Sequence, residues 1–144
     1  MKKIEESLME ACSRGLKDAV LFLLSRDVDV NVRGPKGCTP LHEACRAGHT
    51  DIVRLLLNAG AVVDGRDDSC LAPLHYACVK GHTETVRVLL EQEEMDPEVV
   101  SDALREDSDP FLDEPPFRPE IVDMLREYVP KGAEEEPRPG KMSI

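Results

Sequence analysis

Residues 38–57, CTPLHEACRAGHTDIVRLLL, align without a gap on residues 71–90, LAPLHYACVKGHTETVRVLL, with twelve of the twenty positions identical and an offset of 33. Self-similarity at a fixed period describes stacked units, each burying its apolar face against the next. It also governs how the histidines and cysteines are read, since a residue repeated in register belongs first to the scaffold.

In the better-formed copy, Thr39 precedes Pro40 as an N-cap precedes a helix that opens with proline. Leu41, Ala44 and Cys45 follow at helical spacing. Gly48-His49 interrupts, and Ile52, Val53, Leu56 and Leu57 form the stripe of a second helix ended by Asn58-Ala59-Gly60. Helix, turn, helix and a β-turn loop in 33 residues, opened by Thr39-Pro40-Leu41-His42-Glu43-Ala44, resembles the ankyrin repeat. In the next copy Cys70 stands at the usual turn glycine and Ala72 at the capping threonine, which weakens that cap by ~1 kcal/mol.

Counting back one period lands on Leu8, Ala11, Gly15, Val20, Leu23 and Leu24, an N-terminal capping unit with Met9 in place of histidine. Beyond Leu90 the pattern fails. Asp96-Pro97-Glu98 reads as a new helix start with Val99, Val100, Ala103 and Leu104 on its buried face. Glu120–Leu125 repeats the register of Asp51–Leu56 at an offset of 69, two periods plus three residues. The expected architecture is therefore an all-α ankyrin-repeat solenoid of about four units, 4–33, 34–66, 67–96 and a divergent C-capping 97–129. Its inter-helix turn is swollen over roughly 107–118. Residues 130–144, rich in Pro and Glu, are expected to be a disordered tail.

Aromatic residues make up 3% of the chain, with no Trp, which suits small helical cores of Leu, Val and Ala. No apolar run approaches the roughly 20 residues that cross a bilayer, and Met1-Lys2-Lys3 leads into Glu5 and Glu6, not a secretory segment. Five cysteines without CxxC spacing fit a reducing compartment, so the expected location is the cytoplasm, the nucleus or both. The initiating Met favours a small standalone adaptor, with a piece of a larger scaffold as the other reading.

The net charge of −11 is uneven. Residues 1–90 hold 12 basic and 12 acidic residues, while 91–144 hold 6 and 17. That asymmetry argues against nonspecific nucleic-acid binding by the C-terminal half.

His42 and His75 share one repeat position, His49 and His82 another. Equivalent residues of adjacent units lie ~10 Å apart, too far for shared metal ligation, so all four are expected to bond backbone. Cys12, Cys45 and Cys78, again 33 apart, are expected to be buried and inert, while Cys38 and Cys70 are expected in exposed turns. No GxxxxGK[ST], GxSxG, HExxH or EF-hand pattern occurs, and neither enzymatic activity, a cofactor nor a metal is expected.

The family resemblance implies a protein-binding concave surface of turn tips and first-helix edges. Carried over residue by residue, it names Arg14, Arg33, Lys36, Arg46, Arg66, Asp68, Leu71, Tyr76, Val79 and Lys80, with Ser13, Pro35, Cys38, Ala47 and Ser69 alongside. Six of these are basic. The expected function is that of a monomeric interaction adaptor whose basic stripe takes an acidic protein or peptide segment, Tyr76, Leu71 and Val79 supplying the apolar anchor. No small-molecule substrate and no membrane partner are expected. The alternative is that the acidic C-terminal half binds a basic, histone-like or chaperone-type partner with the repeats as support. The acidic segment 106–114, EDSDPFLDE, could fold back on the basic face, although Phe111 and Phe117 are better read as lid residues packed on the last unit.

Overall fold

The computed structural model describes residues 3–107 and 117–128, so Phe111, most of the acidic segment and the 130–144 tail lie outside the described residues. Among the described residues eight α-helices follow in order: α1 (Lys3–Arg14), α2 (Lys17–Leu24), α3 (Pro40–Ala47), α4 (Thr50–Asn58), α5 (Pro73–Lys80), α6 (Thr83–Leu90), α7 (Pro97–Asp107) and α8 (Pro119–Glu127). No strand occurs among the described residues. Each odd-numbered helix packs on the even-numbered one that follows it, and like packs on like along the chain. The result is an inner row, α1-α3-α5-α7, and an outer row, α2-α4-α6-α8, an all-α solenoid.

Among the described residues no helix exceeds 12 residues, and isolated helices of that length are marginal in water. Stability comes from the shared seam. Leu8, Leu41 and Leu74 occupy one repeat position and are fully buried, as are Val20, Val53 and Val86 at another. Burying such a side chain stabilises by roughly 1.5–3 kcal/mol. Val99 and Ala103 continue the seam into α7, and Ile121 and Leu125 into α8. Phe117 packs against the same core, as its lid role requires.

Capping follows the sequence closely. The Thr39 side chain accepts from the His42 N–H, and the Thr39 N–H donates to His42 Nδ1 at 3.1 Å. Ala72 has no oxygen to offer, so only the reciprocal half survives there, its N–H donating to His75 Nδ1 at 2.9 Å. Asp96 Oδ1 accepts from the Glu98 N–H at 2.9 Å at the start of α7.

The units interlock at their glycines. A Cβ built on Gly15 would lie 2.6 Å from the His49 ring, and one on Gly48, where φ is +80°, would lie 2.6 Å from the His82 ring. At Gly81 the approaching group is Arg118, 2.9 Å away. Three extra residues in the last turn therefore put Phe117-Arg118 where Gly-His stands earlier. His82 Nε2 also donates to the Arg46 carbonyl at 3.1 Å, tying α6 to the end of α3.

At the N-terminal end no unit precedes α1 and α2 among the described residues, and Leu16, Leu21 and Phe22 are exposed. The Arg26 guanidinium lies over the Phe22 ring, 5.1 Å from its centroid.

Gly48→Ala combines left-handed strain of about 1–2 kcal/mol with displacement of the His82 ring. It is expected to destabilise by ~2–3 kcal/mol in urea unfolding. Gly60→Ala, whose Cβ would meet open space, is expected to cost about half as much; equal losses would show that the ring contact is energetically idle.

Candidate protein-binding face

The turn tips stack as a ladder. The Asp68 N–H donates to the Lys36 carbonyl at 3.0 Å, and Arg33 Nη1 donates to the Arg66 carbonyl at 3.0 Å. Arg33 also faces the Asp68 carboxylate at 3.5 Å. One period later, Arg66 donates to the Cys70 carbonyl at 2.9 Å and pairs with Asp102 on α7 at 2.8 Å. Arg66 is the most enclosed of the candidate cations, its side chain 31% exposed, so its pair is less screened than the others. Both arginines staple one unit to the next.

Beneath the ladder sits a polar cluster that belongs to the third unit. Asp67 Oδ1 accepts from the Ser69 and Leu71 N–H groups at 2.9 and 3.0 Å. Its Oδ2 accepts from the Tyr76 hydroxyl and faces the Cys38 thiol at 3.7 Å. Burial works to raise the Asp67 pKa, but the Tyr76 hydroxyl and the two turn N–H groups outweigh it and hold the carboxyl below its usual range. The same arrangement raises the Tyr76 pKa, through burial first and then the Asp67 bond. His42 Nε2 donates to the Leu71 carbonyl at 2.9 Å, and its ring meets Tyr76 edge-on at 5.8 Å between centroids. Because Nδ1 accepts from Thr39, His42 is the neutral Nε2–H tautomer.

Cys38 corrects an expectation. It lies in the turn, but only 6% of its surface is exposed, because the following turn folds over it and places Asp67 against the thiol. Cys70 is exposed with φ at +66°, the left-handed position that Gly37 holds one period earlier. Cys12, Cys45 and Cys78 are buried. Burial pushes the Cys12 thiol up to about 12 and raises Cys45 as well.

The ten sequence-derived residues thus fall into two groups. Arg33, Arg66, Asp68, Leu71 and Tyr76 bond within and between the turns. Arg14 pairs with Glu10 at 2.8 Å and Arg46 with Glu43, each along its own helix; the first pair is open to water, while the Glu43 side chain is only 14% exposed. Lys36 and Lys80 are exposed and have no ion-pair partner among the described residues. Val79 is 57% exposed beside Lys80. Asp67 is not among the sequence-derived residues, although an Asp two residues before Ser69 in a tight turn is the usual sign of a side chain that caps the turn.

A repeat that seats histidine on the preceding unit's glycine, caps its first helix with Thr-Pro-Leu-His and stacks its turn tips at a 33-residue period defines a family, and the family model for ankyrin repeats (3 copies) matches residues 8–101. The chain belongs to the ankyrin-repeat family. No individual curated protein matches it. Ankyrin repeats are generally protein-interaction modules and typically non-enzymatic. The family match stops inside α7, so α8 owes its place to packing on α6 and α7 more than to the shared pattern. Among the described residues no group of three or more His, Cys, Asp or Glu side chains is arranged to hold a metal ion, and no helix is long and apolar enough to cross a membrane.

Two outcomes check this geometry. In native protein Cys70 is expected to react with a thiol reagent at once, with Cys12, Cys38, Cys45 and Cys78 following only on unfolding; early labelling of Cys38 would contradict its enclosure. The second concerns acid. Burial lowers the His42 pKa from 6.5, the Leu71 carbonyl working the other way. Below about pH 6.5 the unfolded chain takes up a proton that the folded one resists, so stability is full above that pH and falls as acid is added. Urea midpoints are expected to drop between about pH 7.5 and pH 5.5, and to drop less in His42→Gln.

Proposed function

We propose that the chain is an adaptor that holds an acidic protein or peptide segment along the inner helices, on the rows formed by Ser13, Arg46 and Val79 and by Arg14, Ala47 and Lys80. Equivalent positions of stacked units lie side by side, so each row crosses α1, α3 and α5. The observation that carries the reading is Val79, an aliphatic side chain 57% exposed where the equivalent positions are serine and arginine. An interface centred on an apolar anchor with cations around it needs such a residue.

The arginine pairs on this surface are no obstacle. Exposed ion pairs between turns of one helix are worth about 0.3–0.5 kcal/mol, so a ligand carboxylate can displace Glu10 from Arg14 at small cost, while Arg46, 45% exposed, can meet a ligand carboxylate without leaving Glu43. Lys36 and Lys80 have no ion pair to displace among the described residues. Arg33, Arg66, Asp68, Leu71 and Tyr76 act in this reading as the platform, and their replacement would disturb the turns before it touched the ligand. The division into units 4–33, 34–66, 67–96 and 97–129 with a tail at 130–144 belongs to the same proposal, as does a single-chain adaptor in the cytoplasm or nucleus. Five free thiols, four of them buried, support a reducing compartment.

Titration calorimetry of the full chain with an acidic peptide carrying one leucine tests the proposal. Arg46→Glu/Lys80→Glu is expected to weaken binding at least about tenfold, or ~1.4 kcal/mol, with the melting temperature little changed. Unchanged affinity in that variant would exclude this face.

A further inference from the structure

On the opposite side of the stack, the C-terminal ends of α6 and α8 leave a groove of about 380 Å³. That volume admits one or two side chains. Its floor is apolar: Leu90, Met124 and Tyr128 rest on the buried core and keep part of their surface outward. Tyr128 closes one wall, its hydroxyl donating to the Met95 carbonyl at 3.1 Å. The rim is acidic, with Glu91, Glu93 and Glu127 all exposed. Arg87, the one cation lining the groove, is already held by Glu84 at 2.6 Å. Glu91 and Glu127 have no ion-pair partner among the described residues.

The groove continues past Gln92 into a second hollow of about 300 Å³, where Val62 is 51% exposed and Asp64 and Glu94 add two carboxylates. An apolar floor inside a predominantly acidic rim states the chemistry of its complement. Burial first, and then Asp96 and Asp64, raise the Tyr128 pKa, so its hydroxyl stays protonated and keeps its bond to the Met95 carbonyl.

We infer that the α6–α8 groove is a second docking surface, taking a Lys/Arg-rich peptide segment that sets one aliphatic side chain against Leu90 and Met124 and its cations on Glu91 and Glu127. The adaptor then has two surfaces of opposite preference, the inner rows for acidic segments and the outer groove for basic ones. They lie on different helix rows, so both ligands fit at once. The inference stands independently of the inner-face proposal, because none of the groove residues takes part in that face.

A polycation will be drawn to any chain of net charge −11, so the test must separate the groove from the overall field. Fluorescence anisotropy of the full chain uses three labelled peptides of equal length: lysine-rich with a central leucine, the same with serine for leucine, and glutamate-rich with leucine. The leucine-containing basic peptide is expected to bind at least about fivefold tighter than its serine counterpart, as burial of an aliphatic side chain requires. Glu91→Lys/Glu127→Lys is expected to weaken it at least about tenfold. Glu6→Lys/Asp27→Lys, an equal charge change at the far end of the stack, is expected to weaken it by less than about threefold. Arg46→Glu/Lys80→Glu leaves it intact.

Equal losses in the two lysine variants, or indifference to the leucine, would reduce the effect to bulk charge and overturn the inference. Tyr128, which lines the groove, precedes by two positions the chain's own residues 130–144, which carry three basic and three acidic residues. Deleting them leaves net charge unchanged and is expected to leave affinity within about twofold. Basic-peptide binding that emerged only on deletion would make this segment the occupant and overturn an external partner.

Discussion

Each unit of this chain is incomplete by itself, and the contact that completes it is a side chain of one unit lying on the bare backbone of the unit before. His49 over Gly15, His82 over Gly48 and Arg118 over Gly81 are the same contact made three times. A close approach of that kind fixes how far apart neighbouring helix pairs stand, and so fixes which apolar side chains meet in the seam. Leu8, Leu41 and Leu74 become equivalent only because the glycines let the rings in. The turn ladder depends on the same spacing, since Arg33 reaches the Arg66 carbonyl only if the two turns lie one helix-pair width apart.

Much of this was legible because the period writes each structural role more than once. The shared Pro-Leu-His, Ala-Cys and Gly-His positions identify capping, seam and seat, and the offset of three residues in the last unit is visible in Glu120–Leu125 before any coordinates are known. What the period does not encode was read less well. Cys38 is enclosed by the turn of the following unit, and nothing in its own turn foretells that cover. Asp67 stands where Gly34 stands in the preceding copy, so its bonds to Ser69, Leu71 and Tyr76 have no echo to betray them.

The charges show the same limit from another side. A sequence lists six basic residues near one face, but pairing is a matter of rotamers and neighbours. Arg66 finds Asp102 thirty-six positions away, across a unit boundary and inside the stretch where the repeat pattern has already failed. Stapling by Arg33 and Arg66 makes the turns rigid. The side chains of Lys36, Lys80 and Val79 are left exposed without such a duty, which is why the proposed interface is built on them.

Phe117 brings the glycine seats to an end. It occupies, after the three-residue shift, the place that Gly15, Gly48 and Gly81 hold in the earlier units, and its ring packs on the core. A stack of this kind is a one-dimensional polymer whose growth needs a vacant seat at each step. A Cβ stands at residue 117 where the earlier units have bare backbone, so the fourth unit does not offer the vacant seat by which the first three each receive a successor.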